Sequence, residues 1–389
     1  MEFLNLLIGV FIIRSIHLAI AIPTFNRLEY IKNLLSNLRS QHIPKNVKLS
    51  IIVSNIASRD GTSEFLEKSK IEMSNLIIYN KAEDNEIYSN NQFLVKSIPE
   101  DVDWVWWMGD DDYLVTSQAI KIVTDIMFSP EHMDVFFIHA CQKRRCANTN
   151  KIIKDDLLNL CNNFGYLEIL GWMSSLILKK EVFIAAIYDS CIGYANIYQT
   201  HKEGYQVKSC FPHSRSILEH CYLKKAIFLD IPLAEPVDNE QTEKCKIQWA
   251  STNHGERYVF ILDDLAVMKK NKTIPDSLSG LFFRYHQYFL WDRWIGFQLE
   301  LLLKFAKHKG KLVPKHLKDY QANWRRIISL PDFIDDPVLK KYLTILIGNC
   351  WDLAENFIEN KLESEDQKKQ ILRQMQLLSA PVFEFSIIQ

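Results

Sequence analysis

Three consecutive carboxylates follow a glycine at the end of an apolar stretch. Gly109 precedes Asp110, Asp111 and Asp112, and the five residues before it, Trp104–Met108, carry no charge. Carboxylate oxygens are the ligands that Mg²⁺ and Mn²⁺ prefer, together with the phosphate groups of a substrate. Three adjacent like charges also repel one another unless a cation binds among them. The pattern predicts a divalent metal carrying a phosphate, and the alternative is a solvated acidic turn.

The apolar stretch before these acids predicts a buried strand. Its aromatic and β-branched residues suit a strand that is covered on both faces, and Gly109 gives the backbone the freedom to end it. Ligands of open α/β sheets bind outside the carboxyl ends of the strands. The acids are therefore expected at the ligand-binding edge of a sheet.

Short apolar runs alternate with helical patterns before residue 140. The runs that predict strands are Leu18–Ile22, Leu49–Val53, Leu76–Tyr79, Trp104–Met108 and Val135–His139. This alternation predicts an α/β fold with a mainly parallel sheet flanked by helices. Further strands are expected within 171–178 and 226–229, and the pattern is helical from Gly255 onward. We expect an apolar extension over residues 1–17, an α/β domain over 18–240 and an all-α domain over 241–389.

Length and composition support two soluble domains. The chain has 389 residues, of which 48% are hydrophobic and 24% charged, and this length exceeds what a single core usually serves. The net charge of -1 gives the whole molecule no attraction to nucleic acid. Its eight cysteines form no Cys-x-x-Cys pair, which indicates reduced thiols rather than disulfides or a zinc site.

Two segments suggest contact with a membrane surface. The apolar run Phe3–Ile13 is shorter than the roughly 20 residues that a spanning helix needs, and we interpret it as a helix that packs on the protein or enters a membrane surface. Basic residues are concentrated over 304–326, after an aromatic-rich stretch. They favour a peripheral membrane face or, equally, a solvated helix surface. The expected location is cytoplasmic, at the inner face of the membrane.

Four motifs in register with this pattern resemble glycosyltransferase family 2, the inverting enzymes with the GT-A fold. They are Ala21–Arg27 after the first strand, Ala57–Thr62 after the second, Asn85–Asn91, and Gly109–Leu114. The resemblance covers roughly residues 18 to 180. It implies a nucleotide-sugar donor, most simply a UDP-sugar, bound over the first four strands, with Mn²⁺ or Mg²⁺ held by the acidic triplet.

The resemblance also assigns roles to individual positions. Donor contacts are implied for Pro23, Thr24, Asn26, Arg27, Asn55, Asn91, Asp110 and Asp111, and metal contacts for Asp110 and Asp112. The family usually has an aspartate that accepts a hydrogen bond from the uracil ring where this chain has Asn55. It usually has a glycine where this chain has Ile87. The Asn55 amide either contacts the base edge or only satisfies a turn.

An acceptor hydroxyl must also lose its proton to a base. The family's Glu-Asp pair is missing here, and the candidates are Glu203, His213 and Glu219. His213 has a suitable intrinsic pKa, although a histidine that follows a proline is also a common structural turn residue.

The leading hypothesis is a metal-assisted hexosyl- or N-acetylhexosaminyltransferase. It would transfer a sugar with inversion to a glycan or lipid-linked acceptor in the biosynthesis of a bacterial surface polysaccharide. Two alternatives remain open. One is a metal-dependent nucleotidyl- or phosphotransferase, and the other is a GT-A scaffold whose site has decayed.

Overall fold

The computed structural model describes residues 15–81, 87–141, 149–200, 211–237, 258–285, 288–307 and 314–358. The apolar run Phe3–Ile13 and the base candidate Glu203 lie outside these residues, as do many side chains of the 304–326 basic segment.

Strands and helices alternate through the first part of the chain, as predicted. The elements are β1 (Ile16–Thr24), α1 (Leu28–Arg39), β2 (Val47–Ile56), α2 (Thr62–Glu72), β3 (Leu76–Lys81), α3 (Ile87–Lys96), β4 (Trp104–Trp107), β5 (Asp112–Leu114), α4 (Ala119–Phe128) and β6 (Val135–Cys141). After these come β7 (Ile152–Asp156), α5 (Leu157–Phe164), α6 (Tyr166–Leu170), β8 (Leu176–Lys179), α7 (Lys180–Thr200), α8 (Pro212–Cys221), β9 (Lys225–Pro232) and β10 (Ala234–Pro236).

Eight strands form one sheet in the order β3-β2-β1-β4-β8-β6-β9-β7. β1 pairs in parallel with both β2 and β4, β2 with β3, and β6 with β9. β8 runs antiparallel to its two neighbours, β4 and β6. The predicted mainly parallel sheet is confirmed, and the reversed strand β8 is a feature that apolar runs alone do not reveal.

The centre of the sheet is buried on both faces. All nine residues of β1 and all four of β4 are buried, which is why these strands read as continuous apolar runs rather than as alternating patterns. Trp106 is fully buried, and its indole nitrogen donates to the Ser174 carbonyl at 2.9 Å. The core thus fixes where β4 ends and where the acids begin.

Contacts divide the chain into two units. The first comprises residues 1–153, 173–188 and 225–237, and the second comprises 154–172, 189–224 and 238–389. The first unit holds most of the sheet. Because the second unit includes inserted segments from within the predicted α/β domain, the single boundary at 240 and 241 stays a prediction.

The second unit is mainly helical where the structure describes it. In addition to α5, α6 and α8 it contains α9 (Ile261–Lys270), α10 (Leu290–Lys307), α11 (Pro314–Ile328) and α12 (Pro337–Ile358), with a short pairing of β11 (Arg284–Tyr285) and β12 (Tyr288–Phe289). Its core is aromatic. Tyr166 stacks on Phe282 with ring centroids 5.0 Å apart, and Trp294 and Trp324 are fully buried.

No helix in the described ranges is both long and apolar enough to cross a membrane. Cys161, Cys221 and Cys350 are buried.

Gly165, between α5 and α6, generates a prediction about folding. Its φ is +109°, and a Cβ added there would lie 2.4 Å from the Arg284 carbonyl oxygen. Gly165→Ala should therefore lower the free energy of unfolding by at least about 2 kcal/mol, measured by chemical denaturation.

Gly296 in α10 serves as the matched control. A Cβ there meets nothing within 4 Å. Gly296→Ala should raise the stability by about 0.5 to 1 kcal/mol, because alanine favours helix. Equal effects of the two substitutions would show that Gly165 is not required by its backbone conformation.

Candidate active site

Parallel pairing brings three of the sequence motifs to one edge of the sheet. Pro23 and Thr24, at the end of β1, stand opposite Ser54 and Asn55 of β2 in the strand register. On the other side β1 pairs with β4 up to Trp107, two residues before Gly109. Because the carboxyl ends of parallel strands meet at the same edge, the residues predicted from separate motifs lie together.

Two carboxylates of the triplet share one cation. An Arg27 guanidinium nitrogen, Nη1, lies 2.8 Å from Asp110 Oδ1 and 3.0 Å from Asp111 Oδ2. The other oxygen of Asp110 accepts a hydrogen bond of 2.6 Å from the Thr24 hydroxyl. The Asp110 side chain is only 5% exposed, whereas that of Asp111 is 40% exposed. Asp111 is thus the carboxylate of this pair that is open to solvent.

The third carboxylate, Asp112, is buried in a separate set of hydrogen bonds. It accepts from the Ser174 hydroxyl, whose oxygen in turn accepts from the Gly109 N–H at 2.8 Å. A Cβ on Gly109 would lie 2.7 Å from Asp112 Oδ2, so the glycine leaves room for this carboxylate. Asp112 therefore anchors the turn that carries the acids. Ser174, 62 residues later in the chain, was not identified from the sequence.

Burial dominates the electrostatics of the triplet. It raises the pKa of Asp110 to about 6, although the Arg27 charge opposes this rise. Burial and then the Asp111 charge hold the pKa of Asp112 well above its ordinary value, against the hydrogen bond from Ser174. Partial burial would lower the pKa of Arg27, but Asp110 and Asp111 raise it overall.

The pKa values of Arg27 and Asp110 are both raised, and the two changes imply opposite effects of the ion pair on these groups. The raised pKa of Arg27 reflects attraction, while the raised pKa of Asp110 reflects a loss of hydration that the attraction does not offset. We give more weight to the loss of hydration, because the Asp110 carboxyl is nearly inaccessible and the Arg27 side chain remains 33% exposed. The site therefore favours a further positive charge near these acids.

The first two loops are fastened to each other. Asn26 has a φ of 52°, its N–H donates to the Ser58 hydroxyl at 2.9 Å, and its side-chain oxygen accepts from the Arg59 N–H at 2.8 Å. The Leu28 N–H donates to Asp60 at 2.9 Å. The Asn26 side chain thus fixes the loop beside Arg27.

The Asn55 side chain is committed to the protein. Its amide nitrogen donates to the Ser63 hydroxyl at 2.8 Å and to the Asn80 side-chain oxygen at 2.9 Å, and its oxygen accepts from Ser58 at 2.5 Å. Asn55 is 1% exposed. These contacts satisfy the hydrogen-bonding groups of the Asn55 amide without a nucleobase. They are consistent with the alternative in which Asn55 only satisfies a turn.

Asn91 differs from its neighbour Asn90 on α3. Asn90 donates to the Thr24 carbonyl at 3.0 Å and accepts from the Ser54 hydroxyl at 2.5 Å. Asn91 is 8% exposed, and its side-chain oxygen is buried with no hydrogen-bond partner. Buried acceptors of this kind normally find a donor from the protein, water or a ligand.

Two of the base candidates lie in the second unit. His213 is half-buried, its Nε2 is inaccessible, and burial lowers its pKa to about 4 against hydrogen bonds at Leu170 and Gly171. Glu219 is half-buried and lies 3.1 Å from Arg215, which also contacts the buried Asp264 at 3.2 Å. His213 is therefore neutral near pH 7 and a weak base.

No group of three acidic, histidine or cysteine side chains arranged to hold a metal is found in the part of the chain that the structure describes. The chemistry of the acids nevertheless fits a divalent ion. Asp110 and Asp111 already converge on one positive charge, and the Arg27 guanidinium stands where that charge is needed.

His213 generates a prediction about pH. The folded chain resists protonation until about pH 4, whereas the unfolded chain protonates near 6.5. The contribution of neutral His213 to stability is thus complete above pH 6.5 and is lost as the pH falls toward 4. The free energy of unfolding of the native protein should fall, relative to that of His213→Gln, by up to about 3 kcal/mol over this range.

Denaturation curves at pH 7, 5.5 and 4 measure this difference. His42→Gln is the control, because His42 is exposed, and its curve should parallel that of the native protein. An equal loss in the native protein and in His213→Gln would show that His213 is not held neutral by burial.

Comparison with known proteins shows similarity to glycosyltransferases over part of the chain. Residues 19–152 match the family model described as glycosyl transferase family 2. The abequosyltransferase RfbV of Salmonella typhimurium is 27% identical over 190 residues, which cover 44% of this chain and 56% of that protein. The chain thus matches little more than half the length of this curated relative.

Solved structures give the fold. Residues 1–349 of S. aureus TarS, in complex with UDP-GlcNAc, align with a TM-score of 0.50 and 13% identity over 91% of this chain and 92% of that one. The mannosyltransferase PcManGT of Pyrobaculum calidifontis, in complex with GDP-Man and Mn²⁺, aligns with a TM-score of 0.44 and 13% identity over 94% of this chain and 86% of that one. Together with the sheet topology, the TarS alignment confirms the GT-A-like fold, and residues 19–152 are similar to glycosyl transferase family 2.

Proposed function

We propose that the protein is a glycosyltransferase that moves a sugar from a nucleoside-diphosphate donor to a glycan or lipid-linked acceptor, with inversion at the anomeric carbon. The observation that carries this proposal is the convergence of Thr24, Arg27, Asp110 and Asp111 at the carboxyl ends of β1 and β4, inside the family 2 segment. Positive charge beside the accessible carboxylate of Asp111 suits a diphosphate with its metal.

Asp111 and Asp110 are the residues proposed to hold Mn²⁺ or Mg²⁺. Asp111 offers the more exposed carboxylate, while Asp112 is occupied by Ser174. This assignment differs from the one implied by the family resemblance, in which Asp112 contacts the metal directly. When bound, the ion would neutralise the charge that develops on the leaving diphosphate.

The chain's own groups supply the rest of the chemistry. In an inverting transfer the acceptor oxygen forms its bond to the anomeric carbon as the bond to the diphosphate oxygen breaks, and a base takes the acceptor's proton. Such a base contributes roughly 10² to 10⁴ in rate. Of the two described candidates we favour Glu219, because the lowered pKa of His213 makes it a weak base at neutral pH.

Donor recognition would combine the first loop with α3. The unpartnered oxygen of Asn91 is suited to accept from a donor hydroxyl. We leave the base of the nucleotide open, because the Asn55 amide is already bound within the protein. The names of the relatives, an abequosyltransferase and an enzyme solved with UDP-GlcNAc, indicate that unusual deoxysugars belong in a donor screen beside common hexoses.

We place this activity in surface polysaccharide biosynthesis at the inner face of a membrane, and the basic 304–326 segment supports peripheral contact there.

Incubation with a panel of UDP-, GDP-, CDP- and dTDP-sugars and Mn²⁺ tests the proposal. We expect slow release of a nucleoside diphosphate from one donor in the absence of acceptor, and faster release when the acceptor is present. Pyrophosphate as the product would point instead to nucleotidyl transfer. Binding of a donor without turnover under any condition would point to a decayed site.

The metal assignment makes a separate prediction. Asp111→Asn should weaken Mn²⁺-dependent binding of nucleoside diphosphate by about tenfold or more, because a direct ligand loses its charge, with little change in melting temperature. Asp112→Asn should weaken it less, since the amide oxygen still accepts from Ser174. Calorimetric titration measures both affinities.

Asp125→Asn is the control for these titrations. Asp125 is an exposed residue of α4 that pairs with Lys121, and its removal should leave metal and nucleotide binding unchanged. A larger loss from Asp112→Asn than from Asp111→Asn would return the direct metal contact to Asp112.

A further inference from the structure

Arg27 occupies the carboxylate oxygens that a metal would need. One guanidinium nitrogen contacts both Asp110 and Asp111, at 2.8 and 3.0 Å, and the Thr24 hydroxyl takes the remaining Asp110 oxygen at 2.6 Å. With Arg27 in this place, both Asp110 oxygens and one Asp111 oxygen are engaged. Each of these oxygens keeps a further lone pair, but a divalent ion bound to them would lie close to the guanidinium, whose positive charge repels it.

The backbone on both sides of Arg27 is held in place by hydrogen bonds. Asn26 is fastened to Ser58 and Arg59, and Leu28 to Asp60. The Arg27 guanidinium also lies over the ring of the buried Tyr30, 5.5 Å from its centroid. Movement of the guanidinium therefore requires rotation of the side chain alone, with the loop unchanged.

Charge decides when that rotation is favourable. A metal ion that arrives alone must displace the guanidinium and remain close to it, and the two positive charges repel one another. A diphosphate that arrives with the metal adds negative charge and offers paired oxygens, to which guanidinium groups bind well. Departure of Arg27 is thus costly for the metal alone and compensated when metal and diphosphate bind together.

We propose that Arg27 is a positioning residue that holds the metal's place in the donor-free site and transfers to the donor diphosphate when metal and donor bind together. The inference rests on the proposed function, since it assigns order to the binding of that enzyme's metal and donor. Arg27 thereby couples the two affinities, and thermodynamic reciprocity requires each ligand to improve the binding of the other equally.

Removing the guanidinium should move the two affinities in opposite directions. In Arg27→Met, Mn²⁺ without nucleotide should bind about tenfold more tightly, because the competing cation is gone. UDP in the presence of saturating Mn²⁺ should bind about tenfold more weakly, because a diphosphate contact is lost. Both changes lie within the range of ordinary coupling between sites. Mn²⁺ electron paramagnetic resonance and calorimetry measure them without any sugar transfer.

Two further variants keep the experiment decisive. Arg27→Gln retains hydrogen-bond donors without the charge and should also bind free Mn²⁺ more tightly, which provides a test if Arg27→Met does not fold. Arg39→Met is the matched control. Arg39 pairs with Glu72 at the end of α1, and its removal should change neither affinity.

The outcomes separate this inference from the proposed activity. Unchanged or weaker binding of free Mn²⁺ by both Arg27 variants would overturn the place-holding role, as would native protein that binds Mn²⁺ equally well with and without UDP. Full transfer by the native protein in EDTA would also overturn it, because Arg27 would then serve as the permanent cation. The two opposite affinity changes in the Arg27 variants, without transfer to any acceptor by the native protein, would support the inference and remove the enzymatic proposal.

Discussion

The burial of two carboxylates at the end of β4 is the constraint on which the site depends. A buried carboxylate is stable only when donors or charges replace the water it has lost. Asp110 receives Thr24 from the end of β1 and Arg27 from the first loop, and Asp112 receives Ser174 from the turn just before β8. Each acid thus fastens β4 to one of its two neighbouring strands in the sheet. The electrostatic requirement of the acids and the geometry of the sheet edge are satisfied by the same contacts.

Much of this sheet edge can be predicted from the sequence, because the patterns that define its strands are local. The buried strands are uninterrupted apolar runs, and parallel order then places the residues after β1, β2 and β4 together whatever their separation in the chain. The partners of the acids do not follow in this way. Ser174 reaches Asp112 only because β8 runs antiparallel beside β4. No sequence pattern near Ser174 indicates this strand direction. The difference in exposure between Asp111 and Asp112 has the same tertiary origin.

Two asparagines, one in the loop after β1 and one near the end of β2, make side-chain hydrogen bonds within the protein. Asn26 and Asn55 stand at positions where the family implies donor contacts, yet the hydrogen bonds of both side chains are made within the protein. The Asn55 amide nitrogen already donates to Ser63 and Asn80, so an additional acceptor would have to displace one of them. These residues shape the loops that a donor would meet. Under the proposed function, selection among nucleotides would fall on backbone groups and on side chains whose donors or acceptors are not used within the protein.

Buried residues whose hydrogen bonds are made within the protein build the site, whereas partly exposed residues remain available to a ligand. Asp112 and Asn55 are buried and hydrogen-bonded within the protein, so replacing their partners would disturb the fold. Arg27 and Asp111 are partly exposed, and their side chains pair with each other while Arg27 also contacts Asp110 and lies over the Tyr30 ring. Their contacts can be exchanged for those of a metal and a diphosphate without unfolding the loops. In the proposed exchange, the metal supplies the positive charge near Asp110 and Asp111, and the diphosphate supplies the negative charge near Arg27. Each side chain therefore keeps a partner of opposite charge.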